Sequence, residues 1–391
     1  MAFQKIRLLG LVWATFFSIS LVTNILGPLI PDLIRDFHLS LSLAALLPSS
    51  LFLAYGLCSI PAGLLVERCG DKAITLLGFA LVLVGALAFA LVGRYAIAIA
   101  SLFTIGVGMA LLQVVLNPLL RAAGGEARFA FYAVLGQLVF GVASFVSPFL
   151  YSYLTTRAKL SWISLYWVFA GIAATMLAWV AATPFPAIAR TAEAQAGSWK
   201  VYLGLLRRPM VIAYFVGIFA YVGTEQGLAT WMSEFLHACH GLDPRTDGAR
   251  AVAWFWGLMT CGCVLGLFLL RRFDSRAVLA AFTLLALLLL GAGLFGPTPI
   301  ARWALPLCGF AASVMWSVIF SLALNSVPEH HGAFSGILCT AIVGGAAVSG
   351  VIGWLGDQFG LRAALLVLFL TLGYILSVAR WARPLVVNEI A

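Results

Sequence analysis

Apolar stretches of about 20 residues recur along the whole chain, separated by short segments that carry most of the charges. A helix rises about 1.5 Å per residue, so a stretch of that length crosses the roughly 30 Å hydrocarbon core of a membrane. Only 9% of the 391 residues are charged, whereas a soluble domain carries roughly 25%. So few charges cannot build a water-exposed surface, and the sequence therefore predicts an all-α membrane protein.

The apolar stretches predict twelve transmembrane helices in two groups of six. The longest polar segment, 184–208, is predicted to be a cytoplasmic linker between an N-terminal six-helix bundle, 1–183, and a C-terminal six-helix bundle, 209–391. Two halves of this kind place a binding site between them near the midplane of the membrane. The predicted spans are 8–31, 41–66, 73–93, 96–120, 129–153, 162–183, 209–236, 250–270, 277–296, 301–324, 333–356 and 361–381.

The basic residues predict the orientation. Roughly two thirds of the 23 Lys and Arg residues fall on the side of the predicted helices that holds both termini. Basic loops stay in the cytoplasm, so both termini are expected to be cytoplasmic, in a multi-pass protein of the plasma (inner) membrane. The formal net charge of +9 is spread singly or in pairs over helix ends, which argues against a nucleic-acid-binding surface.

The loop between the second and third spans carries a dense group of charges. It reads Gly63-Leu-Leu-Val-Glu67-Arg68-Cys-Gly70-Asp71-Lys72. This resembles the signature of major facilitator transporters in that loop, glycine-x-x-x-acid-arginine-x-glycine-basic-basic, with Asp71 in place of a basic residue. The resemblance implies a conformational lock formed by Gly63, Glu67, Arg68 and Gly70. In such a lock the acid holds an arginine and the N-terminus of a neighbouring helix in one state of the transporter.

Four other spans narrow the resemblance. Span 7 reads Tyr221-Val-Gly223-Thr-Glu225-Gln226-Gly227-Leu-Ala-Thr-Trp231, span 4 ends Gln113-Val-Val-Leu-Asn117-Pro118, span 10 ends Phe320-Ser-Leu-Ala-Leu-Asn325, and span 11 contains Ala341-Ile-Val-Gly344-Gly345-Ala346. These segments are similar to the fucose–galactose–glucose:proton symporter family, and the similarity covers nearly the whole chain. The resemblance implies the major facilitator fold and sugar uptake driven by protons, or by sodium in some relatives.

Two departures from the family pattern affect the expected site. In the fucose-permease branch a span 1 aspartate and a span 4 glutamate support sugar and proton binding, and Asn24 and Gln113 occupy those positions here. Both amides keep hydrogen-bonding capacity and lose the titratable group. In span 5, Gln137 matches a glutamine of the branch, whereas Phe140 replaces its asparagine. These departures argue against fucose as the substrate and against the family's proton site.

Polar side chains inside apolar spans are the candidates for solute binding, because a polar group facing lipid is costly. An amide-rich cavity suits an uncharged, polyhydroxylated solute, since an amide donates and accepts hydrogen bonds as a sugar hydroxyl does. The alternative for each amide is a structural hydrogen bond between helices. The candidate solute-binding residues are Asn24, Gln113, Asn117, Gln137, Tyr221, Gln226 and Asn325.

Glu225 is the acidic residue placed most deeply within a predicted span. Burial disfavours the charged form of a carboxyl group, so we expect any proton coupling to run through Glu225. The alternative is a fixed hydrogen bond from Glu225 to a neighbouring helix. Asp32, Glu234 and Asp357 lie nearer the ends of predicted spans and are expected to be solvated.

The leading interpretation is a secondary active transporter that moves a small neutral, sugar-like solute by alternating access. Protons or sodium are the candidate coupling ions, and the lipid bilayer is the other expected partner. The alternatives are a multidrug or metabolite exporter of the same fold and a membrane-embedded transferase, with Glu329-His330-His331 as its candidate acid–base cluster. We expect a monomer that is not an enzyme and has no metal, cofactor or nucleic-acid partner.

Overall fold

The computed structural model describes residues 2–124, 129–185, 199–327 and 330–383. Within these ranges the chain forms seventeen α-helices and no β-strand. The first seven helices belong to the N-terminal half, in which α1 and α2 form one interrupted crossing. Their bounds are α1 (Ala2–Thr23), α2 (Leu26–Phe37), α3 (Leu41–Cys69), α4 (Asp71–Leu91), α5 (Tyr95–Gly124), α6 (Phe129–Ser152) and α7 (Ser164–Ala182).

The C-terminal half follows α8 (Trp199–Leu206), a short helix in the segment predicted to be the linker. Its last three crossings are each built from two helices, α12 with α13, α14 with α15, and α16 with α17. The bounds are α9 (Pro209–His240), α10 (Ala249–Leu269), α11 (Ser275–Phe295), α12 (Thr298–Ala312), α13 (Met315–Leu324), α14 (His331–Thr340), α15 (Gly344–Phe359), α16 (Leu361–Ala364) and α17 (Val367–Trp381).

The described residues contain twelve helical segments long and apolar enough to cross a membrane, which confirms the predicted number of spans. Most of them begin and end within a few residues of the predicted limits, although the first crossing continues to Phe37. An even number of crossings puts both ends of the chain on one side. We call that side the terminal face, and we call the opposite side, with the loops at 38–40, 92–94, 241–243 and 360, the distal face.

Buried apolar side chains form two clusters, one in each half. The first extends from Leu8 to Val180 and the second extends from Leu205 to Ala382. Ala44 and Ala45 of α3 belong to the second cluster although they lie in the N-terminal half, so the two halves pack against each other there. The exact limits of the two bundles stay a prediction, because residues 186–198 lie outside the described part of the chain.

The halves approach most closely where glycine on one helix faces a helix of the other half. A Cβ atom on Gly27 of α2 would lie 2.1 Å from the carbonyl oxygen of Ala229 in α9. A Cβ atom on Gly353 of α15 would lie 2.6 Å from the Cβ atom of Ala45 in α3. Only glycine permits these approaches. Both contacts lie on the distal side of the middle of their membrane crossings.

The helices α6 and α10 of the two halves meet near the middle of their crossings. A Cβ atom on Gly141 of α6 would lie 2.2 Å from Thr260 Oγ1 of α10, so the helices touch at that level. Gln137 lies one turn nearer to the terminal face on the same side of α6, and its side chain is exposed.

A buried ion pair joins the halves near the distal face. Asp32 of α2 is 1% exposed, and its carboxylate accepts hydrogen bonds from the Tyr151 hydroxyl at 2.7 Å and from Arg245 Nη2 at 2.9 Å. Arg245 lies in the turn before α10, in the C-terminal half, and Arg35 adds a second cation at 2.8 Å. The expectation that Asp32 is solvated is wrong, because α2 continues to Phe37 and keeps this residue inside the protein.

Replacing Arg245 tests the strength of this pair. Arg245→Ala is expected to lower the free energy of unfolding by about 2 kcal/mol, because the buried carboxylate loses one of its two cations. The loss is reduced because the Arg245 side chain is 35% exposed and Arg35 remains. Thermal unfolding of the purified protein measures it. The double variant Asp32→Asn/Arg245→Ala should lose less than the sum of the single variants, and additive losses would contradict the pairing.

Candidate functional site

The break between α1 and α2 places an amide side chain at the centre of the molecule. The chain leaves the helix at Asn24 and resumes it at Leu26. Asn24 is 4% exposed, and its amide nitrogen donates to Ser144 Oγ of α6 at 2.8 Å and lies 3.4 Å from Ser20 Oγ. These contacts fix the side chain against α6. The amide oxygen has no hydrogen-bond partner within the described ranges and remains available to a ligand.

A small cavity lies beside this break, between the two halves. The α1–α2 break and Phe52 of α3 line one side, and residues of α9 together with Trp256 of α10 line the other. All the lining side chains are neutral, and five of them carry hydrogen-bonding groups. The lining residues are Thr23, Asn24, Leu26, Gly27, Phe52, Gln226, Ala229, Thr230 and Trp256.

Two polar atoms of this lining, Thr23 Oγ1 and Trp256 Nε1, are buried and have no hydrogen-bond partner in the described part of the chain. Thr23 is 8% exposed and Trp256 is 4% exposed. An unpaired buried polar group costs about 1–3 kcal/mol, so a ligand that pairs with it recovers that free energy. The indole N–H only donates, whereas the threonine hydroxyl donates and accepts. The site therefore suits a molecule that offers both acceptors and donors, as an alcohol does.

A carboxyl group lies next in sequence to the cavity-lining Gln226. Glu225 of α9 is half-buried, and its carboxyl group lies near the hydroxyl of Tyr221, one turn earlier on the same helix. The Tyr221 ring lies 6.1 Å from the ring of Trp316 in α13, which stacks on Phe320. No cation pairs with Glu225 among the described residues. A charge at this position is therefore poorly compensated, and proton binding removes it.

The structure brings two of the predicted amides into the cavity, Asn24 and Gln226. Gln113 is half-buried in α5 and Gln137 is exposed in α6, and neither side chain forms a hydrogen bond within the described part of the chain. Asn117 lies in α5, but its side chain is outside the described residues. Gln113 and Gln137 are therefore not among the described lining residues of the cavity.

Asn325 lies at a different depth from the cavity. It follows the last residue of α13, and the next residue, Ser326, shares a hydrogen bond of 2.9 Å with the hydroxyl of Tyr214 near the start of α9. The start of α9 is at the terminal face, so Asn325 lies near that face. Its role in solute binding stays a prediction, as does that of each amide outside the cavity lining.

The predicted lock residues lie at the terminal end of α3. Gly63 is within the helix, and Gly70 ends it with a φ of 80°, a conformation that favours glycine. The Arg68 side chain is exposed and forms no ion pair with the described residues. The side chain of Glu67 lies outside the described residues, as does Glu329 of the transferase alternative. The lock itself stays a prediction.

Sequence reasoning missed Thr23, Thr230 and Trp256. Threonine and tryptophan are neutral and also occur as packing residues in apolar spans, so their presence alone did not indicate a site. Helical spacing could have found Thr230, since it lies one turn after Gln226 on the same face of α9. Nothing in the sequence around Trp256 distinguishes it from a packing residue.

Residues 12–350 match the family model described as Major Facilitator Superfamily. A glucose/galactose transporter of Brucella abortus biovar 1 (strain 9-941) is 31% identical over 373 residues, which cover 92% of this chain and 90% of the relative. The L-fucose-proton symporter of Escherichia coli (strain K12) is 27% identical over 384 residues, which cover 90% of this chain and 87% of the relative. These matches confirm the predicted family resemblance.

Solved structures show the same fold. The crystal structure of FucP, a Major Facilitator Superfamily transporter in the outward conformation, has a TM-score of 0.68 at 24% identity and covers 96% of this chain and 98% of that one. The crystal structure of a D-xylose-proton symporter has a TM-score of 0.72 at 13% identity and covers 97% of this chain and 96% of that one. At these identities the likeness shows the fold alone, and it confirms the predicted architecture of twelve helices in two halves.

Proposed function

The chain belongs to the Major Facilitator Superfamily, and we propose that it carries a neutral hexose across the membrane by alternating access. The observation that carries the proposal is the uncharged cavity between the halves, with hydrogen-bonding groups from both sides. The relative named a glucose/galactose transporter supports a hexose as the solute. An exporter of apolar molecules is less well supported, because five of the nine lining residues are polar or carry an indole N–H.

The cavity lies where alternating access requires it. Thr23 and Asn24 come from the N-terminal half, and Gln226 and Trp256 come from the C-terminal half. A sugar bound between them contacts both halves at once, so each half gains hydrogen bonds when the halves approach. The Gly27–Ala229 contact lies on the distal side of the cavity, and separation of the halves at that contact would expose the same groups to the distal face.

We also propose that the terminal face is cytoplasmic and that the protein lies in the plasma (inner) membrane. The support is the concentration of basic residues in loops on that face, which include Arg68, Lys72, Arg271 and Arg272. We propose a monomer as the transport unit, because alternating access needs two halves and both belong to the same chain.

Removing the two unpaired polar atoms of the cavity tests the binding site. Thr23→Val and Trp256→Phe are each expected to weaken hexose binding by about 1–3 kcal/mol, because a sugar hydroxyl loses its buried partner. The sugar-free variants should be at least as stable as the wild type, since neither atom is paired there. Thermal unfolding measured against increasing glucose or galactose gives the affinity, because a ligand stabilises the folded state by mass action.

Trp303→Phe is the matched control for this experiment, because Trp303 is exposed on the outside of the bundle. It should leave hexose affinity unchanged. Unchanged affinity in both cavity variants would place the binding site elsewhere. Stabilisation of the wild type by apolar drugs and not by hexoses would favour the exporter.

We propose that proton coupling runs through Glu225. The support is its place in α9 next to the cavity-lining Gln226, near the Tyr221 hydroxyl and with no cation paired with it in the described residues. A proton-driven carrier must load a carboxyl group on one side of the membrane and release the proton on the other. The relative named a fucose-proton symporter is consistent with this coupling.

Glu225→Gln mimics the protonated carboxyl and separates coupling from binding. In proteoliposomes with a pH gradient, this variant is expected to lose concentrative hexose uptake and to keep hexose exchange, because exchange needs no deprotonation. Glu234→Gln, on the same helix nearer to the distal face, is the control and should accumulate hexose. Equal accumulation by Glu225→Gln and the wild type would show that coupling lies elsewhere. If the wild type accumulates hexose under neither a proton nor a sodium gradient, the protein is a uniporter.

A further inference from the structure

The loop between α15 and α16 repeats the charged pattern of the loop between α3 and α4. Gly63, Glu67, Gly70 and Lys72 have the same spacing as Gly353, Asp357, Gly360 and Arg362. The two turns also share their backbone conformation. Gly70 has φ 80° and ψ 160°, Gly360 has φ 81° and ψ 155°, and each glycine N–H donates to a carbonyl four residues earlier at 2.9 Å. The first loop is at the terminal face and the second is at the distal face.

Asp357 caps a helix that belongs to the other half. Its Oδ1 accepts from the backbone N–H of Leu41 at 2.7 Å, and its Oδ2 accepts from the N–H of Ser42 at 2.8 Å and from the Ser42 hydroxyl. Leu41 and Ser42 are the first two residues of α3, whose N–H groups have no acceptor within their own helix. The side chain of Ser40 accepts from the next one, Leu43, at 3.3 Å. The start of α3 is therefore capped jointly by its own half and by the opposite half.

Charge and packing both favour this contact. The N-terminus of a helix carries a partial positive charge, and α3 has no acidic residue of its own in its first turn. The carboxylate of Asp357 supplies the negative charge in its place. The end of α15 can reach α3 because it presents glycine there, and a Cβ atom on Gly356 would lie 2.8 Å from Leu41 Cδ1. The expectation that Asp357 is solvated leaves out these hydrogen bonds to the start of α3.

We propose that Asp357 is a lock residue of the distal face and the counterpart of the signature acid Glu67. Its contacts join the two halves, so they must break when the distal face opens. The α3 helix runs from the distal to the terminal face, and the α14–α15 crossing runs the opposite way. Each crossing thus ends in a loop that carries an acid at the same position of the repeated pattern. His330, which precedes α14, does not cap it with its side chain, so that helix start is the equivalent target for Glu67.

This arrangement couples the two faces. The Asp357 contact exists only while the distal face is closed, and the equivalent Glu67 contact is expected only while the terminal face is closed. Replacing Asp357 therefore shifts the balance of the two states, besides any effect on stability. The proposal concerns the conformational step alone and holds whichever solute is carried.

Distances between paired spin labels on each face test the proposal without any solute. The background replaces the native cysteines with serine, apart from Cys69 in the terminal pair. The distal pair is Arg94→Cys with Ile300→Cys, and the terminal pair is Cys69 with Arg272→Cys, all at exposed positions of opposite halves. Asp357→Ala should raise the ratio of distal-open to distal-closed molecules about tenfold. This is the size of the change in a folding equilibrium that follows the loss of a capping side chain from a helix. The terminal pair should move closer in the same molecules.

Three further variants separate the lock from a general loss of structure. Ser42→Ala keeps both backbone hydrogen bonds and should shift the ratio little. Asp357→Glu keeps the charge and should restore much of the closed state, whereas Asp357→Asn should behave more like Asp357→Ala. Unchanged distances on both faces in Asp357→Ala would overturn the proposal. It would also be overturned if the distance distributions of both pairs only broadened and Asp357→Glu restored no more of the closed state than Asp357→Ala.

Discussion

The interface between the two halves is the constraint on which the rest of this structure depends. In lipid, helices gain little from hydrophobic burial against each other, so close packing and hydrogen bonds must hold them together. Gly27 and Gly353 provide the close packing, because a Cβ atom at either position would overlap the opposite half. Asp32 and Asp357 add polar contacts that cross the interface near the distal face. Alternating access requires that such an interface can separate as a unit.

The cavity takes its chemistry from its place in this interface. Asn24 reaches it only because the helix breaks between α1 and α2, and the bonds of its amide nitrogen to α6 fix its direction. Thr23 and Trp256 line it, and each has a buried polar atom with no partner in the described residues. These unpaired groups reduce the stability of the sugar-free protein. That loss is tolerated in a carrier because a bound hydroxyl group restores the missing hydrogen bonds, and the solute then stabilises the state in which both halves hold it.

The sequence predicts the number and limits of the membrane crossings well, because the thickness of the bilayer fixes the length of each apolar run. It also identifies Asn24 and Gln226 as candidates, since amide side chains are rare in apolar spans. The sequence predicts less well which amide side chains lie together in the cavity. Successive side chains along a helix point about 100° apart, so a small error in a helix's rotation changes which of them face the cavity. The sequence does not predict the roles of Asp32 and Asp357. Their partners Tyr151 and Leu41 lie more than a hundred residues away in the sequence, and the packing of the helices brings them together.

A reversible cross-link between the halves tests the central claim, that transport requires the distal face to open. A Cβ atom on Gly350 of α15 would lie 3.6 Å from Ser49 Oγ of α3, so cysteines at these positions are within reach of a disulfide. The variant Ser49→Cys/Gly350→Cys, free of other cysteines, would be assayed for hexose transport in proteoliposomes before and after reduction. The account predicts that the oxidised carrier binds hexose without transporting it and that reduction restores transport. Equal transport rates in the cross-linked and reduced forms would contradict it.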